Sequence, residues 1–189
     1  MNVQQIFDEV ALLINHDITP SQQVNKLNQI SRQLFREFPL PDKIYKFTMT
    51  NIPYYDVPAD CAEDRVRVVI INGVEYPKLT PEIQHVSGAF CTIFLGKLYI
   101  NPNVEGQDAY LYYGPRHMEL IPSKLSDIPT FPEDYHEILV YGLAQWVASI
   151  ERDIDLANNF QTEYDNIFKK AQKGLRKMGL KTVKITTIW

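Results

Sequence analysis

The sequence predicts an α+β fold: a helical bundle formed by N- and C-terminal helix pairs, an inserted antiparallel β-rich sub-domain, and an extended C-terminal tail. Three observations carry this. Apolar residues recur at helical spacing over residues 3–37 and again over 133–178. Between about 43 and 113 the period changes to two, and turn residues separate short runs rich in Tyr, Phe, Val and Ile. After residue 181 the chain alternates once more, ending Ile185-Thr186-Thr187-Ile188-Trp189.

Val3, Ile6, Phe7, Val10, Leu13 and Ile14 place a first amphipathic helix over 3–15, broken at Asn15-His16-Asp17. Thr19 reads as the N-cap of a second, with Pro20 at its first position and Gln22 completing a capping box. Val24, Leu27, Ile30, Leu34 and Phe35 carry that helix over 20–37, and the short connection makes the two a hairpin. Strands are expected over 43–49 and 53–57. A hairpin joins 66–71 to 74–79 through Asn72-Gly73, which supplies the two positive φ angles of a type I′ turn. Thr80-Pro81-Glu82 reads as the cap of a short helical turn reaching His85. A second hairpin joins 90–95 to 98–101 at Gly96-Lys97, and a strand follows over 109–113.

Pro115, Pro122, Pro129 and Pro132 mark 114–132 as an extended connector. Pro132 or Glu133 then opens a helix over 133–152, with Ile138, Leu139, Leu143, Trp146, Val147 and Ile150 on its apolar face. Asp153 and Asp155 interrupt it, and Asp155 is expected to cap a last helix over 156–178. Gly179 is its expected stop, with Gly174 the alternative one turn earlier. Residues 1–181 thus read as one domain and 182–189 as a tail.

The 189 residues are long enough for one well-buried core, and 45% hydrophobic with 22% charged residues is an ordinary globular balance. No apolar run approaches the ~20 residues that span a bilayer, so no membrane partner is expected. Met1-Asn2-Val3-Gln4-Gln5 has no basic region or signal-peptide core, so secretion is not expected. Cys61 and Cys91 lack metal spacing and fit a reduced compartment. Net charge is −4, unevenly placed. Lys169, Lys170, Lys173, Arg176, Lys177, Lys181 and Lys184 follow Asp165 with no acid among them; the remainder has 12 basic against 23 acidic residues, a net −11. Cations complement a helix C-terminus, which accounts for the helical lysines but not for Lys181 and Lys184.

Tests for local chemistry fail. His136-Glu137 begins like a zinc-protease helix, but Val140 occupies the second ligand position. Asp153-x-Asp155 begins like a calcium loop, but Ala157 replaces an oxygen ligand and Asn158 the turn glycine. Cys61 and Cys91, with His16, His85, His117 and His136, show no dyad spacing, and no phosphate-cradling glycine loop or nucleophile elbow is present. No catalytic residue, metal site or cofactor is expected. Tyr110, Tyr112 and Tyr113 on one strand suggest an aromatic platform, although aromatics favour strands for packing reasons alone. Lys97, Arg116 and Lys124 are too few for a nucleic-acid patch.

Several passages, in order, resemble the head-to-tail adaptor proteins of tailed bacteriophages. Ile52-Pro53-Tyr54-Tyr55-Asp56-Val57-Pro58-Ala59-Asp60 is similar to the strand that precedes their first hairpin, and Val69-Ile70-Ile71-Asn72-Gly73-Val74-Glu75-Tyr76 to that hairpin. Gly96-Lys97-Leu98-Tyr99-Ile100-Asn101-Pro102 resembles the second, followed by the strand at 109–113. Phe131-Pro132-Glu133-Asp134-Tyr135-His136 resembles the proline-led helix start, with Phe131 where leucine is usual; Tyr164 and Leu175 match positions of the last helix. The likeness spans residues 40 to 178.

The resemblance implies a structural virion protein and not an enzyme: a dodecameric homo-oligomeric ring beneath the portal, extending the DNA channel and joining capsid to tail. Its implied partners are the portal protein and a tail, stopper or nozzle protein below the ring. DNA would pass the lumen without sequence-specific binding. Its place would be the virion neck, with host cytoplasm during assembly. In such adaptors the C-terminal segment often reaches the portal, which assigns that contact to Lys181, Val183, Lys184, Ile185, Ile188 and Trp189. An alternating strand can add to a sheet edge, a terminal Trp is a low-entropy anchor, and lysines steer towards acid. The alternatives for the tail are folding back on its own sheet or fraying. The alternatives for the protein are another neck or tail-tube component, or a small ligand-binding or enzymatic domain.

Overall fold

A computed structural model describes residues 1–38, 40–79 and 88–179. Its described residues combine four α-helices with two antiparallel sheets, an α+β fold. The chain divides into two compact units, Met1–Leu40 with the described part of His117–Trp189, and Pro41–Arg116.

In the first unit both N-terminal helices start on reciprocal capping boxes. Helix α1 (Val3–Leu13) follows Asn2, whose side chain accepts from the Gln5 amide at 2.8 Å while Gln5 accepts from the Asn2 amide at 2.8 Å. Helix α2 (Pro20–Glu37) has the expected Thr19–Gln22 box and Pro20 at its start. The helix expected over 133–152 begins instead as a 3₁₀ turn, Glu133–Tyr135, and becomes α-helical as α3 (Glu137–Ile150). Pro132 stays extended, and the Tyr135 and His136 amides close i→i+3 bonds on the Pro132 and Glu133 carbonyls. The buried His136 ring, 2.7 Å from the Phe131 carbonyl, holds that tight turn.

Helix α4 (Ile154–Gly179) follows after a sharp reversal. Arg152 takes φ 61°, and the Asp153 amide reaches back to the Ala148 carbonyl at 3.0 Å, the 6→1 bond that closes a helix over a left-handed residue. Asp153, rather than the expected Asp155, caps α4: its Oδ1 accepts from the Leu156 amide at 2.9 Å, leaving Asp155 in the first turn. The helix runs through Gly174, so only the Gly179 stop remains in play. One core joins side chains of all four helices, including Ile6, Leu27, Leu34, Leu139, Leu143 and Leu175, each fully enclosed. Each such side chain stabilises by about 1.5–3 kcal/mol relative to exposure.

The second unit contains β1 (Lys43–Thr48), β2 (Tyr54–Asp56), β3 (Cys61–Ile71), β4 (Val74–Pro77), β5 (Phe90–Phe94), β6 (Lys97–Asn101) and β7 (Asp108–Pro115). They form a four-stranded sheet, β1-β7-β3-β4, and a three-stranded sheet, β2-β6-β5. The Asn72-Gly73 turn has the expected positive φ at both residues, 51° and 77°. The other turn lies at Leu95-Gly96, φ 50° and 75°, one residue before the expected Gly96-Lys97. Strand β3 starts at Cys61, earlier than the expected residue 66, because Glu63, Asp64 and Arg65 are exposed and give no apolar alternation; register shifts either side of Val66 absorb the irregularity. The helical turn expected near residues 80–85 lies outside the described residues. Inward side chains of both sheets, among them Tyr55, Val69, Cys91, Leu98, Ile100 and Leu111, share a second core.

Candidate functional site

The tail residues Lys181, Val183, Lys184, Ile185, Ile188 and Trp189 lie outside the described residues. Leading towards them, Lys169, Lys170, Lys173 and Arg176 are all exposed on the last turns of α4.

Among the described residues, Cys61, Cys91, His117 and His136 are held in packed surroundings. Cys61 and Cys91 are both buried, and burial pushes both thiols up to about 11. At pH 7 only about one in ten thousand of either is thiolate. The Cys91 thiol points at the Tyr76 carbonyl, 3.2 Å away. His136 is 1% exposed and burial lowers its pKa. Its Nε2 must donate to the Phe131 carbonyl, so Nδ1 accepts from the Met1 amine at 3.1 Å. His117 is likewise lowered by burial, its Nε2 3.2 Å from the Asn28 carboxamide oxygen. That carboxamide also accepts from the Leu120 amide at 2.9 Å and donates to the Leu120 carbonyl at 3.0 Å. Among the described residues no group of three or more His, Cys, Asp or Glu could hold a metal ion.

A cleft of about 180 Å³ between α2, α3 and α4 is lined by Lys26, Gln33, Gln145, Gln161 and Tyr164 over a Gly142 floor. Burial pushes the Tyr164 phenol up to about 12, so it stays neutral and can donate a hydrogen bond but not act as a base.

The three tyrosines of β7 are not one platform. Tyr113 is buried and donates to Asp60 Oδ1 at 2.9 Å; burial and that carboxylate raise its pKa. Burial opposes ionisation of Asp60, but the hydrogen bonds from Lys43 (2.6 Å) and Tyr113 outweigh it and hold the carboxyl below its usual range. Tyr110 and Tyr112 turn to the opposite side, where Lys46 Nζ stands 5.8 Å from the Tyr110 ring centre. Sequence reasoning missed the comparable aromatic row on the three-stranded sheet, where Tyr54 and Tyr99 ring centres are 5.2 Å apart and Phe90 and Tyr99 6.1 Å. The available signal was apolar residues at both parities of the same strands.

No helix of the described residues is long and apolar enough to cross a membrane. No curated protein matches the chain. The family described as SU10 adaptor protein matches residues 1–183. The chain therefore belongs to the SU10 adaptor protein family, a family of phage head-to-tail adaptors.

Proposed function

We propose that the chain is a non-enzymatic virion protein that forms a dodecameric ring under the portal, extends the DNA channel and joins the capsid to the tail. The observation that carries this is the family match over residues 1–183, nearly the whole chain. The charge distribution supports it: a net −11 outside the seven C-terminal cations suits a channel that DNA slides through, since phosphate affinity needs cations. In this reading the helical unit is the bundle of the adaptor domain, 1–181, the β-rich unit is its insertion, and 182–189 is the tail. The tail adds as a strand to the portal, with Trp189 as anchor and Lys181 and Lys184 steering it.

Deleting residues 182–189 tests the tail. Portal-ring binding measured by light scattering falls by at least about tenfold, the loss of a single anchoring residue's worth of contact. Unchanged binding with normal head completion overturns the tail assignment. A full-length chain that stays monomeric and ignores portal rings overturns the adaptor reading itself, and a chain that binds tail-tube rings instead belongs to a different neck or tail position.

A further inference from the structure

An antiparallel sheet with one face on a core ordinarily turns polar residues outwards. Both sheets of the β-rich unit depart from this. In the four-stranded sheet, Val69, Ile71, Tyr76 and Leu111 face the core, while the alternate row Ile44, Tyr112 and Val68 faces out, beside Tyr110 and Ile70. Ile44 is 58% exposed. In the three-stranded sheet, Tyr55, Cys91, Leu98 and Ile100 face the core, while Tyr54, Tyr99, Phe90 and Phe94 face out, Phe94 at 58% exposure. The turn beyond Phe94 presents Leu95 at φ 50° and 87% exposed. A leucine in the left-handed region, set in water, is costly on both counts and is the kind of feature found at contact sites.

We propose that these two faces meet between copies of the chain: the Tyr110–Tyr112 face of one copy packs on the Tyr54–Tyr99–Phe90 face of the next. The inward rows of the two sheets share one core, so their outward rows are two distinct surfaces. A contact joining unlike faces uses both and repeats, which is the heterologous geometry that closes into rings. Charge favours a second copy as the occupant. The four-stranded face carries the Lys46–Asp108 pair at 2.6 Å and, opposite Ile70, Glu75; the three-stranded face carries the Lys97–Asp56 pair at 3.3 Å. A face with one net acid thus meets a neutral face rather than another acidic one, so unlike faces stack without like-charge repulsion and a polyanion gains no hold. At the margins, Glu75 has no ion-pair partner among the described residues, while Lys97 shares only an Asp56 that is 88% exposed. Acid at one margin thus meets a weakly committed cation at the other.

The inference rests on the ring reading and names the surfaces by which copies meet. Tyr112→Glu blocks one face and Tyr99→Glu the other. Sedimentation of the full-length chain, alone up to about 1 mM and on purified portal rings, reads the result at the weak limit of specific association. The wild type associates with concentration, each variant alone stays monomeric, and an equimolar mixture forms a 1:1 dimer and nothing larger, because each variant keeps one working face. The proposal is overturned by a variant that assembles like wild type, by a variant that still dimerises with itself, by a mixture that stays monomeric, or by a wild type that self-associates in neither setting. Should either variant unfold, Ile44→Glu and Phe94→Glu, at well-exposed positions on the same faces, take their place. Variants that still form rings and complete heads refute these surfaces but leave the adaptor reading intact. Loss of portal binding with self-association unchanged reassigns the face to the portal.

Discussion

Gly174 lies inside α4, where a glycine costs about 1 kcal/mol relative to alanine, so substitution should stabilise unless something forbids a Cβ. The structure names the obstacle: a Cβ at this position would stand 2.0 Å from the Tyr135 hydroxyl oxygen and 3.1 Å from Cζ. Relief needs a movement of roughly 1 Å, a displacement on the scale of core overpacking, which costs about 1–3 kcal/mol. The Tyr135 backbone is fixed, its amide tied to the Pro132 carbonyl at 3.0 Å and the next amide to Glu133 at 3.1 Å, so the ring gives way only by turning about its own side-chain bonds. Gly174→Ala is therefore expected to destabilise by about 1 kcal/mol net, lowering Tm by roughly 2–4 °C in a chain of this size. Tyr135→Phe removes only the offending oxygen and should change stability by less than about 0.5 kcal/mol. In that background the 3.1 Å contact with Cζ asks the ring to give by only a few tenths of an ångström, so Gly174→Ala should fall between neutral and about 1 kcal/mol stabilising. The coupling between the two positions is then about 1–3 kcal/mol, read from urea unfolding of the four proteins in a double-mutant cycle. A Gly174→Ala change that stabilises the wild-type background, or acts equally in both backgrounds, refutes the steric assignment.

Asn28→Ala should cost about 2–4 kcal/mol in urea unfolding, because it strips partners from the buried Leu120 amide and carbonyl at once; a loss under about 1 kcal/mol would mean that water replaces both bonds. The Asp60 carboxyl is held below its unfolded pKa, so its contribution is fully present above about pH 4 and lost as pH falls through the lower folded value. Lys43 is about half exposed, which limits that contribution to about 1 kcal/mol or less. Asp60→Asn should therefore lower the urea midpoint at pH 7 and approach wild type near pH 3; a difference independent of pH would contradict the ion pair.

What the sequence made legible was whatever local chemistry decides. The Thr19–Gln22 box and the Asn72-Gly73 turn depend on residues a few positions apart, and both stand where expected. What it hid depends on distant partners or on residues that break local rules. Nothing near Leu95 announces a left-handed leucine, and the adjacent Gly96 drew the turn one residue late. Asp153 and Asp155 are equally good caps by composition. Only the left-handed Arg152 and the return bond to Ala148 decide between them. Gly174 looked like a helix stop because its actual constraint, Tyr135, is 39 positions away in the chain and close in space. The adaptor likeness was legible as an order of weak elements, each unspecific alone.

The two units treat apolar surface differently, and this separates what mutations in each should do. In the helical unit the apolar faces are enclosed, and exposed residues such as Leu12, Ile121, Ile128 and Ile154 fall at helix ends and in the connector, where scattered apolar residues are ordinary. In the β-rich unit part of the exposed apolar surface lies on two outer faces backed by a single core, with Ile44 and Tyr110 on one and Tyr54 and Phe94 on the other. Substitutions in the helical core therefore act on folding: Leu143→Ala leaves a cavity and costs about 2–5 kcal/mol wherever the protein is assayed. Substitutions at well-exposed outer-face positions such as Ile44 and Phe94 lose little in the isolated chain, because those side chains already meet water. In the proposed ring, their cost appears where copies meet. A face variant with wild-type Tm and failed assembly, beside a core variant with lowered Tm and intact assembly at low temperature, is the pair of results that this division of labour requires.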